Sequence, residues 1–220
     1  MRSLAERGEA QAQALYGQML LDGREVARDD QAALGWFTRA AAQHHLLALN
    51  MVGRCYDLGW GTAPDKARAA ECYRVAATRG LAEAQYNYAT LLALGEGVTL
   101  DRAAALGWLE RAAAAGFAKA VNVIGSFAED GWAGPVDMAK AASHYARAAA
   151  GGDFRGCFNH ARMLAADGRI DEALGWIERA GVLGNARFVG QVEGWLLASG
   201  DTRLAGEGMA AVQRGAASRC

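Results

Sequence analysis

The sequence predicts an all-α fold, a solenoid of similar helix pairs stacked one on the next. Three observations predict it. Sliding the 220-residue chain against itself by 36 residues aligns whole columns of like residues: Phe37, Tyr73, Leu109 and Tyr145; Ala41, Ala77, Ala113 and Ala149; Gly23, Gly59, Gly95 and Gly131; Asp29, Asp65, Asp101 and Asp137. Each period contains two apolar patterns with the helical spacing of about 3.6 residues. No segment alternates as a strand does.

The elements follow in order. Gly8 lies two periods before Gly80, so residues 1–9 read as a partial N-terminal helix ahead of four full repeats at 10–45, 46–80, 81–116 and 117–152. In the third repeat, Gln85, Tyr88, Ala89 and Leu92 share a face of the first helix, and Ala105, Trp108, Leu109, Ala112 and Ala113 share one of the second. The aspartate column precedes each second helix, where a carboxylate caps free amides and meets the positive end of the dipole. Gly80, Gly116 and Gly152 stand where a helix C-terminus favours a left-handed residue, and His44 takes that place in the first repeat. The small residues at Gly53, Ala89, Gly125 and Ala161 let paired helices approach to about 8–10 Å. A fifth repeat, 153–184, is shortened, because Trp176 and Ile177 fall 32 rather than 36 residues beyond His144 and Tyr145. Residues 185–220 are a degenerate C-terminal cap, and the whole chain reads as one solenoid domain.

The third repeat carries Ala84, Ala89, Leu92, Gly95-Glu96-Gly97-Val98, Asp101, Ala105, Trp108-Leu109, Ala112-Ala113 and Gly116. This pattern closely resembles the Sel1-like repeat, a relative of the tetratricopeptide repeat, and the resemblance covers nearly the whole chain. It implies a right-handed α-α superhelix, a bacterial source and a noncatalytic role in protein–protein interaction. The fifth repeat, "DGRIDEALGWIERA", is closer to a tetratricopeptide unit.

Composition excludes several functions. The formal net charge is −1 and the isoelectric point about 6.4, so the basic footprint of a nucleic-acid binder is missing. No run reaches the roughly 18 apolar residues of a membrane span, and the charged start MRSLAERGEAQAQ lacks the apolar region of a secretory signal. The four cysteines form no C-x-x-C pair, which fits reduced thiols in the cytoplasm. The "GEGV" turn follows a helix rather than a strand and matches neither a P-loop nor a dinucleotide loop, so its glycines serve the turn.

Chemistry is sparse. His144 occupies the column of Trp36 and Trp108, as a packing residue would. Cys157 and His160 lie three apart on a helix, but two ligands are fewer than a structural zinc site needs. Cys55 falls in an apolar column with Leu91 and Phe127. No nucleophile, base and orienting group assemble, so no catalytic residue, cofactor or metal is expected.

Function is therefore expected on the wall formed by the first helices, the concave face such solenoids use. The tetratricopeptide pattern places Asn50, Tyr86, Asn122 and Phe158 in one row of that wall, Arg54 and Arg162 in a second, Lys119 and Arg155 in a third, and Asp57 and Glu129 in a fourth. Amides to pair with a peptide backbone, aromatic rings for its apolar groups and arginines for its carboxylates suit an extended peptide or another protein. The alternative is an accessory protein of an iron or other small-molecule or metal pathway, with Cys157 and His160 near the groove. A monomer or weak homodimer is expected.

Overall fold

The computed structural model describes residues 1–218; Arg219 and Cys220, the end of the expected cap, lie outside the described residues. Thirteen helices and no strand occur among the described residues: α1 (Arg2–Glu6), α2 (Ala10–Asp22), α3 (Asp30–Ala42), α4 (Leu46–Leu58), α5 (Lys66–Thr78), α6 (Ala82–Leu94), α7 (Arg102–Ala114), α8 (Ala118–Asp130), α9 (Met138–Ala150), α10 (Phe154–Ala166), α11 (Ile170–Leu183), α12 (Ala186–Ala198) and α13 (Thr202–Ala217). They fall into two compact units, Met1–Ala112 and Ala113 onward; the division lies inside α7.

In the first unit α2 to α6 pack each against the next, with α1 on α2. The expected caps are present: Asp29, Asp65 and Asp101 accept from the amides of Ala32, Arg68 and Ala104 at 2.9, 2.9 and 2.8 Å. Each such cap contributes about 1 kcal/mol. His44 adopts the left-handed backbone (φ 65°) in the place of Gly80 (φ 92°). Gly97 of the "GEGV" turn has φ 69°, and a Cβ there would lie 2.3 Å from the carbonyl carbon of Lys66. Backbone fills the space where a phosphate cradle would have to open, so the turn is a joint between repeats.

Glycine also sets the fit within a pair. A Cβ on Gly17 would meet the Phe37 ring at 2.9 Å, and one on Gly53 the Tyr73 ring at 2.6 Å. Where the column carries the slimmer Leu109, the equivalent small position of the first helix is Ala89 rather than glycine, and both are buried. Small residue and ring are matched in volume, as close packing demands.

In the second unit α8, α9, α10 and α11 again pack in succession. Asp137 caps α9 through the Lys140 amide at 2.9 Å, and a Cβ on Gly125 would meet the Tyr145 ring at 2.6 Å. The degenerate cap continues the stacking. α12 meets α10 through Phe188 against Phe154, ring centroids 4.6 Å apart. α13 lies along α11, so close at two glycines that a Cβ on Gly215 would stand 2.1 Å from the Glu178 carbonyl oxygen. Arg214 bridges the same two helices, 2.8 Å from Glu178.

Candidate functional site

The first helices of consecutive repeats are joined by side-chain amides. Asn87 on α6 donates Nδ2–H to Asn50 Oδ1 on α4 at 2.9 Å. Asn159 on α10 donates to Asn122 on α8 at the same distance. Asn50 and Asn122 are only 6% and 5% exposed, which corrects the expectation that they stand open to a peptide backbone. A buried amide must find an internal partner, and here it is the neighbouring first helix.

The acids of the wall are also engaged internally. Asp57 accepts from Lys66 Nζ at 2.5 Å and from the Tyr73 hydroxyl at 3.2 Å. Lys66 also reaches Glu96 at 2.8 Å, and these two carboxylates hold its pKa above the ordinary value. In the second unit Glu129 receives the Tyr145 hydroxyl at 2.5 Å and two N–H groups of Arg162 at 3.0 and 3.3 Å. Arg162 also donates Nε–H to Asn159, linking the ion pair to the amide bridge. Burial by itself would raise the Glu129 carboxyl, but the bonds from Arg162 and Tyr145 outweigh it and hold the group below the usual range.

Phe158 is likewise turned inward. Its ring stands edge-on to Phe188 at 6.0 Å and to Trp195 at 5.2 Å, so α12 covers it. Lys119 and Arg155 are exposed, while Tyr86 and Arg54 are half-buried. The Arg54 guanidinium rests 4.8 Å over the Trp60 ring.

The metal alternative loses its geometry. Cys157 is fully buried, its thiol against the Ala149 carbonyl, and burial raises its pKa to about 11; Cys55 is raised to about 11 by the same cause. His160 stacks edge-on against Trp176 at 5.3 Å, as Tyr16 does on Trp36 and Tyr88 on Trp108 in earlier repeats. It is a packing aromatic, and burial lowers its pKa. Among the described residues no three His, Cys, Asp or Glu side chains group to hold a metal ion, and no helix is long and apolar enough to cross a membrane.

Asn87, Asn159, Tyr73, Tyr145 and Trp60 escape a reading by rows. The signal for the tyrosines was present: an acid occurs in the Leu21, Asp57, Ala93, Glu129 column only where a hydroxyl stands 16 residues later, and Phe37 and Leu109 follow the apolar members.

Comparison with known proteins agrees with this architecture. The family model described as Sel1 repeat matches residues 10–45, 46–81, 82–117 and 118–153. No curated protein matches the chain significantly. Among solved structures, a Sel1 repeat protein from Oxalobacter formigenes is similar at 26% identity and a TM-score of 0.78, over 96% of this chain and 87% of the other. A protective antigen present in uropathogenic Escherichia coli strains is similar at 26% identity and a TM-score of 0.72; all but 1% of this chain is covered, but only 48% of that one. An immunity protein from Pseudomonas aeruginosa shares the fold alone, with 14% identity, a TM-score of 0.68, and 96% and 80% of the two chains covered. With four matched repeats spanning most of its length and an all-α architecture of stacked helix pairs, the chain belongs to the Sel1 repeat family.

Proposed function

We propose that this chain is a noncatalytic adaptor that binds a partner protein through the first helices of its repeats, with Arg54 and Tyr86 as contacts on the first unit and Lys119 and Arg155 as contacts on the second. Sel1 repeats generally mediate protein–protein interaction. The observation that carries the reading is the internal bonding of that wall: Asn87 to Asn50 and Asn159 to Asn122, both at 2.9 Å, fix adjacent first helices side by side. A surface ordered before binding loses little conformational freedom when a partner arrives. The exposed Lys119 and Arg155 beside it make that partner acidic at the contact. Reduced thiols at Cys55, Cys72 and Cys157 support a cytoplasmic setting, and a monomer or weak dimer leaves the wall accessible.

The test is capture of the partner from the native host, its identification by mass spectrometry, and reconstitution from the two purified proteins. Reversing charge at Lys119→Glu with Arg155→Glu, and separately at Arg54→Glu, should weaken the purified pair by about tenfold or more with little change in melting temperature. Equal affinity for all variants refutes this wall as the contact surface.

A further inference from the structure

A cleft of about 350 Å³ opens in the first unit, lined by Gln18, Leu21, Asp22, Arg28, Arg54 and Trp60. Its size suits one or two amino-acid side chains rather than a whole cofactor. Its lining is mostly polar, with Leu21 buried at its base beside Trp60, and its formal charges are two cations and one anion. Arg28 already spends two N–H groups on Asp30, at 2.8 and 3.0 Å, and Asp22 accepts from Gln18 at 2.8 Å.

Arg54 is different. The Trp60 ring orients its guanidinium, and among the described residues Nη1 otherwise reaches the Met51 sulfur at 3.8 Å. Among the described residues no carboxylate lies within ion-pair distance of it. Asp57, one turn along the same helix, is held by Lys66 and Tyr73. A half-buried guanidinium with unfilled donors is ready to donate to a planar carboxylate.

The molecule shows what such a carboxylate would do. Arg162 occupies the repeat position of Arg54, three periods on, and pairs with Glu129, 33 residues before it. The residue 33 before Arg54 is Leu21, which lines the cleft. The same arginine has its acid built in at one end of the chain and lacks it at the other.

We propose that the Arg54 cleft binds an aspartate or glutamate side chain of a partner peptide, the carboxylate taking the place that Glu129 takes on Arg162 and the neighbouring residue lying against the Trp60 ring. This rests on the adaptor reading above and names the chemistry of the partner at one point of the wall.

The experiment uses the full chain and three pools of fluorescent heptapeptides, read by anisotropy. The first pool has both ends blocked and Leu-Glu at its centre; the second has Leu-Gln there; the third has Leu-Gln and an unblocked C-terminal carboxylate. The expected result is binding of the first pool at least about tenfold tighter than the second, with the difference abolished in Arg54→Gln. Leu21→Glu, which copies the Glu129 arrangement, should abolish it too; thermal melts establish that each variant is folded, and Arg54→Gln decides alone if Leu21→Glu is not. Equal binding of the first two pools overturns the carboxylate site and leaves the adaptor reading standing, as does selective binding of the third. Binding of none overturns the carboxylate site, while the adaptor reading falls only if the charge-reversed variants hold the captured partner as tightly as the native chain does.

Discussion

The Tyr145 hydroxyl donates to Glu129 across a helix pair at 2.5 Å, and the same carboxylate is gripped from the next first helix by Arg162 at 3.0 Å. One half-buried acid thus ties the two helices of its own repeat to the repeat that follows. The first unit repeats the device with Tyr73 and Asp57 but draws its cation from Lys66, at the start of α5 in the same repeat.

Tyr145→Phe keeps the ring against Gly125 and removes only the hydroxyl. A hydrogen bond to a charged group contributes about 1.5–3 kcal/mol, so chemical denaturation should show a loss of that size. Glu129→Gln should cost a similar amount. The double variant should fall short of the sum by about 1 kcal/mol or more, because the two changes break one bond; strict additivity would mean that the hydroxyl and the carboxylate do not interact.

The pH dependence follows from the same group. Glu129 sits below its ordinary carboxylate range in the folded chain, so the unfolded state holds more protons in the window between the two values. Stability then rises with pH there. The contribution is complete above the unfolded value, about 4.3, and disappears as pH falls through the lower folded value. Denaturation midpoints measured from about pH 6 down to pH 3 should drop more steeply for the native chain than for Glu129→Gln. Parallel profiles would remove Glu129 as the cause.

Gly125→Ala forces a Cβ to 2.6 Å from the Tyr145 ring. Overpacking of this kind costs about 1–3 kcal/mol. The third repeat carries its own remedy, Ala89 and Leu109 at the positions equivalent to Gly125 and Tyr145, so adding Tyr145→Leu should make Gly125→Ala nearly harmless in that background. The readout is the coupling in a double-mutant cycle: a value near zero would show that ring volume is not what selects glycine here.

Much of this was legible in the sequence, for a physical reason. Caps and joints are local: Asp29, Asp65, Asp101 and Asp137 each bind an amide three residues on, and the single-repeat period exposes them. The wall was legible as a set of positions and misread as a surface. Asn50, Glu129 and Arg162 make their bonds to residues 37 or 33 positions away, and a column read one repeat at a time does not show which neighbour takes a side chain. A longer alternation carries that information. Tyr16, Tyr88 and His160 meet Trp36, Trp108 and Trp176 in every second repeat, while Tyr73 and Tyr145, with their acids, belong to the repeats between. Columns compared two periods apart would have paired them.

The amide bridges separate recognition from architecture most sharply. Replacing Asn50 and Asn122 with Ala removes Oδ1 acceptors that are buried and each hold a donor of the next first helix. Leaving Asn87 and Asn159 partly buried without those acceptors costs about 1–3 kcal/mol apiece. The double variant should therefore melt at lower temperature, whereas Lys119→Ala with Arg155→Ala, at exposed positions, should leave the melting temperature within about a degree or two. If partner binding is lost in the second variant at unchanged stability, the exposed cations do the recognising and the asparagines only hold the helices in register. Unchanged melting of the asparagine variant would mean that the first helices are held together by apolar packing alone, and that their amides are available to a partner after all.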